Sequence, residues 1–218
     1  LRLMAQYSKD ERLIEAFKNG EDIHTATAAH VFGTNLFGVS DDQRRRAKVV
    51  NFGIMYGAGP FRMSNELEIS RGEAAELISD YFNTYPGIRN YLDETIEFAR
   101  ENKFVQTLFG RKRPVPDIDA SNRMSREGAE RIATNMPIQG TAADIIKLAM
   151  IQVHKRIKAE NLKSKMILQV HDELVFEVPD DEIETLTQLV RETMEHAVDL
   201  DIPLTVDIGI GDNWLEAH

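Results

Sequence analysis

Arg44-Arg45-Arg46-Ala47-Lys48-Val49-Val50-Asn51-Phe52-Gly53-Ile54-Met55-Tyr56-Gly57 combines a helical pattern with a row of cations and aromatics. Ser40-Asp41-Asp42-Gln43 ahead of it has the Ser-x-x-Gln form of a capping box with two acids in the first turn, and Gly57 with Gly59-Pro60 supplies a stop. The pattern predicts a helix. Steps of four advance about 40° on a 3.6-residue helix, so Arg44, Lys48, Phe52 and Tyr56 form one slowly drifting stripe roughly 18 Å long, while Ala47, Val50 and Ile54 face the packing. Two cations followed by two aromatics suit a ligand with a polyanionic end and a flat end, because guanidinium and ammonium groups take phosphates and an aromatic face takes a base or sugar. A nucleoside triphosphate is such a ligand. A solvated cationic face beside half-buried rings would give the same four residues.

The chain has 218 residues, enough for one large domain or two small ones, and a formal net charge of −10. Taken alone, that charge argues against a nucleic-acid partner, yet the cations are grouped: residues 44–48, Arg111-Lys112-Arg113 and residues 155–165 form basic islands. No apolar run approaches the roughly 18 residues of a membrane span, and there is no cysteine for a disulfide, a thiolate metal site or a cysteine nucleophile. A soluble, cytoplasmic protein with no membrane partner is expected. The first methionine is Met4, inside Leu1-Arg2-Leu3-Met4-Ala5, so the sequence reads as a fragment.

Outward from the central helix, patterns predict helices over 10–18 and 21–32, a short one over 60–67, one opened by the Ser70-Arg71-Gly72-Glu73 capping box, and one over 88–101 after the Tyr85-Pro86-Gly87 break. Residues 103–109 alternate as a strand that turns back at Gly110-Arg111-Lys112-Arg113-Pro114. Residues 125–134 read as a helix, interrupted at Asn135-Met136-Pro137 before a second helix to about 161, with a kink at the proline. Arg131, Asn135 and Gln139 step by four along one side of it. Residues 166–170 and 174–178 read as strands around His171-Asp172-Glu173, a tight hairpin with two adjacent acids at its tip. A helix over 180–200 and a last strand through Leu204, Val206, Ile208 and Ile210 complete the pattern, and the strand is expected to join the hairpin in one antiparallel sheet backed by helices.

Arg-x-x-x-Lys-x-x-x-Phe-Gly-x-x-Tyr-Gly resembles the nucleotide-binding helix of the fingers in family A DNA polymerases, the bacterial DNA polymerase I type. Asn-x-Pro-Ile-Gln-Gly-Thr-Ala-Ala-Asp, from Asn135 to Asp144, and Val-His-Asp-Glu, from Val170 to Glu173, resemble two further motifs of that family. The likeness spans essentially the whole chain. It implies an α+β fold: mostly helical fingers (9–122) inserted into a palm (1–8 and 123–218) with a small antiparallel sheet, an incomplete right hand lacking the thumb.

By the same resemblance, Arg44 and Lys48 would neutralise a triphosphate, with Lys48 also protonating the leaving group; Phe52 would pack on the sugar and Tyr56 would hold the template-base position until the fingers close. His24, within an Asp-Ile-His segment, would help hold the phosphates. Arg131, Asn135 and Gln139 would lie near the template-primer, where amide donors reach minor-groove acceptors shared by every correct pair. Arg111 and Arg113 on the hairpin tip read as a solvated turn or as phosphate contacts; His171 would touch the primer end. Asp172 would be the metal ligand and a catalytic residue, with Glu173 an adjacent acid.

The implied partners are a deoxynucleoside triphosphate and template-primer DNA, the implied cofactor Mg²⁺ in a two-metal site, and the parent enzyme a monomer on bacterial nucleoid DNA. Residues 1–8 resemble the segment directly after the family's first catalytic motif, which is absent and carries the other metal-binding aspartate. The isolated chain is therefore expected to be inactive. A non-catalytic nucleotide- or DNA-binding module and a Mg²⁺ phosphohydrolase are the other readings.

Overall fold

In the computed structural model, which describes residues 1–217, the chain opens with α1 (Arg2–Ser8), and Asp10 then accepts the Leu13 amide at 3.1 Å to start α2 (Glu11–Lys18). Asp22 starts α3 (Ile23–Val31) in the same way, its Oδ1 taking the amides of His24 and Thr25. Both expected capping boxes form. Ser40 and Gln43 exchange hydrogen bonds of 3.0 and 3.2 Å at the head of α4 (Asp41–Met55). After α5 (Pro60–Leu67), Ser70 and Glu73 repeat the exchange at the head of α6 (Arg71–Thr84). Pro86 stands at the first position of α7 (Pro86–Asn102), where its missing amide costs nothing, so the Pro-Gly break is also a start.

Two compact units result, Leu1–Thr141 and Ala142 onward. In the first, β1 (Phe104–Gln106) pairs antiparallel with β2 (Lys112–Pro114), Val105 opposite Arg113. Val105, Val115 and Ile118 pack with Ala99, Ala129, Ala133 and Met136 into one apolar cluster.

The expected interruption at Pro137 is not there. One helix, α8 (Arg123–Ala159), runs 37 residues with the proline inside it. An interior proline typically costs about 3 kcal/mol through a lost backbone bond and a clash, and tertiary hydrogen bonds gather at the proline's own turn. The Tyr7 hydroxyl donates to the Pro137 carbonyl at 3.1 Å and lies 2.6 Å from Thr141 Oγ1, which also accepts the Leu108 amide at 2.9 Å. Gly140 matters for the same joint. A Cβ there would stand 2.7 Å from the Thr107 methyl, so only glycine lets the hairpin lie this close to the helix.

In the second unit, β3 (Lys165–Val170) pairs antiparallel with β4 (Glu173–Glu177), and α9 (Ile183–Glu195) buries Leu186, Leu189 and Val190 against Val153 and Ile157. Glu182, just before α9, ties the β3 approach: its carboxylate accepts the amides of Lys163 and Ser164 and the Ser164 hydroxyl. A short α10 (Trp214–Ala217) ends the described chain.

The predicted last strand is not formed. Leu204, Val206 and Ile208 are half-buried between exposed neighbours, so the period-2 pattern is real, but no described strand pairs with it. At Val206 the backbone is taken by side chains of α9 instead: Arg191 donates to the Val206 carbonyl at 2.6 Å and the Val206 amide donates to Glu195 at 3.1 Å. In place of one sheet, the described residues form two separate two-stranded hairpins. The chain is otherwise as expected, mostly helical with a little antiparallel sheet.

Candidate functional site

Within the first unit, α4 presents the stripe as the spacing requires. Ala47, Val50 and Ile54 are buried, Arg44, Lys48 and Tyr56 are exposed, and Phe52 is half-buried. The phenyl ring of Phe52 stacks on Tyr56, centroids 6.5 Å apart and planes 16° from parallel. On its other side, the His24 ring of α3 lies 5.7 Å away at 49°. Three flat groups in a row thus continue from two cations.

The two cations are not equivalent. Nε and a terminal nitrogen of Arg44 both bond Asp22 Oδ2, at 2.8 and 2.7 Å, while Lys48 has no ion-pair or hydrogen-bond partner among the described residues. An exposed pair of that kind contributes only about 0–1 kcal/mol, so a phosphate can compete for Arg44. Burial pushes the Asp22 carboxyl up, but Arg44 and the amides of Thr25 and His24 outweigh it and hold the group below the usual carboxylate range. For His24 burial lowers the pKa, Asp22 opposes it, and Arg44 and Lys48 push it down further. The ridge therefore favours a neutral imidazole beside two fixed positive charges.

Arg131, 75 positions beyond Tyr56 in sequence, comes to the end of α4. Gly57 has φ +70°, and a Cβ there would stand 3.1 Å from Arg131 Cγ. Asn135 and Gln139 follow on α8, Gln139 exposed and Asn135 half-buried with its Oδ1 unpartnered. The hairpin cations separate: Arg111 donates to the Gly140 carbonyl at 2.9 Å and so braces α8, Lys112 lies 4.3 Å over the Phe104 ring, and Arg113 is exposed on β2.

In the second unit, Val170 pairs with Glu173, so the β3–β4 tip is His171-Asp172 and Glu173 begins the ladder rather than the turn. His171 has φ +52°, and its carbonyl accepts from Gln169 Nε2. Asp172 is exposed and has no protein partner among the described residues. Among those residues no three His, Asp or Glu side chains stand together as a metal-holding group. Mg²⁺ is commonly held by one or two carboxylates with phosphates and water completing the shell. Asp172 fits as one such ligand, a partial set.

Sequence reasoning missed Asp22, Asn51, Thr27 and Tyr85. Asn51 and Thr27 are buried and bonded to each other behind His24, and Tyr85 joins them from the α6–α7 junction. Their separations of 24 to 58 residues leave no local signal; only the N-cap geometry of Asp22 was there to be found.

Comparison with known proteins bears on the same residues. A family model described as DNA polymerase family A matches residues 1–216. DNA polymerase I of Caldicellulosiruptor bescii is 54% identical over 216 residues, which is 99% of this chain and 25% of that protein. The thermostable DNA polymerase I of Thermus thermophilus is 48% identical over 217 residues, 100% of this chain and 26% of its own length. The solved POL domain of Pol1 from M. smegmatis, in complex with DNA primer-template and dNTP, superposes with a TM-score of 0.96 at 46% identity, over 99% of this chain and 38% of that one. The chain spans about a quarter of the length of the curated relatives it matches. With a match over nearly its whole length, this chain belongs to DNA polymerase family A.

Proposed function

We propose that the chain is the fingers and part of the palm of a DNA-templated DNA polymerase, with fingers over 9–122 and palm over 1–8 and 123–218. It would bind a dNTP and template-primer for 5′–3′ nucleotidyl transfer. The observation that carries this is the ridge: His24, Arg44, Lys48, Phe52 and Tyr56, from two helices, brought into one row with Arg131 at its end. The family membership and a structural neighbour holding primer-template and dNTP support it.

In this reading Lys48, the cation with no ion pair or hydrogen bond among the described residues, takes the triphosphate first and gives up a proton to the departing pyrophosphate; Arg44 exchanges Asp22 for a phosphate oxygen. Phe52 packs on the sugar, Tyr56 occupies the template-base position in the open fingers, and His24 donates to a phosphate. Arg131, Asn135 and Gln139 contact the primer-template, His171 the primer end, and Arg113 a backbone phosphate. Arg111, held on Gly140, positions the hairpin whose strand β2 carries Arg113. Asp172, with Glu173 beside it, would hold Mg²⁺, which when bound activates the 3′-oxygen and neutralises the leaving phosphates. The bacterial relatives support a cytoplasmic, nucleoid-associated location for the whole enzyme, and a monomeric parent belongs to the same proposal. No described helix is long and apolar enough to cross a membrane.

The test is primer extension by a chimera in which this chain replaces the matching segment of the C. bescii enzyme. Metal-dependent extension is expected, and a folded chimera without it would contradict the proposal. From the partial carboxylate set at Asp172, the 218-residue chain alone is expected not to extend a primer; metal-dependent synthesis by it would contradict that part.

A further inference from the structure

Behind His24 lies a line of polar groups with no access to water. Tyr85 Oη is 3.2 Å from Thr27 Oγ1, Thr27 Oγ1 is 3.3 Å from Asn51 Oδ1, and Asn51 Nδ2 is 3.1 Å from His24 Nδ1. Thr27 and Asn51 are 0% and 1% exposed. An amide nitrogen can only donate, so Nδ1 must offer a lone pair to it. Thr27 Oγ1 lies within reach of both ends of the Asn51 amide, 3.3 Å from Oδ1 and 3.2 Å from Nδ2, and with Tyr85 Oη at 3.2 Å it holds the amide in place behind the ring. In a neutral imidazole the proton is then left on Nε2, a nitrogen with no protein partner among the described residues.

We propose that Asn51 is a positioning residue that fixes His24 as its Nε2–H tautomer, so that the ring offers a donor, not a lone pair, to a phosphate oxygen on the ridge. This rests on the reading of the ridge as a triphosphate site. The opposite tautomer would turn a lone pair toward an anion. The groups facing the ring are Asp22 at the cap of its own helix, Arg44 and Lys48 from α4, and the amino group of Leu1, which burial pushes down to about 6; with burial of the ring, Arg44 and Lys48 outweigh Asp22 and hold the imidazole below its ordinary pKa. Asn51 thus does for a phosphate-binding histidine what a second ligand shell does for a metal-binding one: it sets which nitrogen carries the proton.

The test uses the 218-residue chain with ¹⁵N-labelled histidine, and the His24 signals are assigned by their loss in His24→Ala. At neutral pH the unmodified chain should show a protonated, pyrrole-type Nε2 and an unprotonated, pyridine-type Nδ1. A proton on Nδ1 would overturn the proposal, and this measurement needs no variant to fold. Asn51→Asp replaces the donor with an acceptor and should draw a proton to Nδ1 and raise the His24 titration midpoint. A folded Asn51→Asp chain with unchanged nitrogen shifts would also overturn it. Asn51→Leu should let both tautomers appear and weaken dATP binding about fivefold, the contribution of one ordinary hydrogen bond. The nucleotide reading fails separately: dATP affinity unmoved by Lys48→Ala would remove the purpose assigned to the Nε2 proton while leaving the tautomer measurement intact.

Discussion

The ridge on α4 and the tip of the β3–β4 hairpin carry the two halves of the proposed chemistry, and they are built in opposite ways. Every ridge residue except Lys48 is held by protein: Arg44 by Asp22, His24 by Asn51, Phe52 between His24 and Tyr56. At the tip, Asp172 is exposed and meets no described protein partner. A group that must meet a variable base pair and a triphosphate in register gains from being fixed before the ligand arrives. A carboxylate that is to share a hard cation with phosphates and water gains from having its oxygens uncommitted. Substitutions of the ridge residues that protein holds should therefore damage both fold and binding, whereas substitutions of Lys48 should damage binding alone and substitutions at the tip chemistry alone.

The largest expected effect is at the tip. In the C. bescii chimera, Asp172→Asn should lower primer extension more than about 100-fold, by removing a metal ligand worth several kcal/mol of transition-state stabilisation, with no change in melting temperature. A comparable loss of melting temperature would show that Asp172 is structural. On the ridge side, Thr27→Val leaves Asn51 Oδ1 and the Tyr85 hydroxyl without their buried partner. Denaturant unfolding should show a loss of about 1–3 kcal/mol.

Acid should separate the two regions further. The folded His24 pKa lies below its ordinary 6.5, so between the folded value and 6.5 the unfolded chain binds more protons. The contribution is complete above 6.5 and is lost as pH falls from there through the folded value. Glu182, beside the hairpin's unit, is held below its ordinary 4.5 by the Lys163 amide and the Ser164 hydroxyl, so its contribution survives down to 4.5 and is lost only below it. Amide exchange should show α3 and α4 loosening first as pH is lowered from neutral, and His24→Gln should flatten that slope. The smallest effect is at the capping box, where Ser40→Ala should cost about 1 kcal/mol at the head of α4 and leave the hairpin unit unchanged.

How much of this the sequence displays follows the range of the interactions. Ser40-x-x-Gln43, Ser70-x-x-Glu73 and the 60–67 helix depend on neighbours three or four residues apart, and they form as read. The ridge spacing is equally local. What escaped is set by distant partners. The Tyr7 bond to the Pro137 carbonyl, at the turn where α8 continues, spans 130 residues. The Arg191 and Glu195 side chains take the backbone of Val206 where the alternating pattern predicts a ladder partner. The Asn51 link to His24 crosses between helices, so the sequence shows His24 as a candidate and gives no sign of what holds it.

The most direct test of the ridge is calorimetric titration of the 218-residue chain with dATP, comparing the unmodified protein with Lys48→Ala. Lys48 is exposed and makes no ion pair or hydrogen bond among the described residues, so its loss should leave the melting temperature unchanged while weakening the nucleotide about tenfold, the scale of one charge-assisted phosphate contact. Equal affinity in the two proteins would mean that the cations and rings of α4 are only a solvated face.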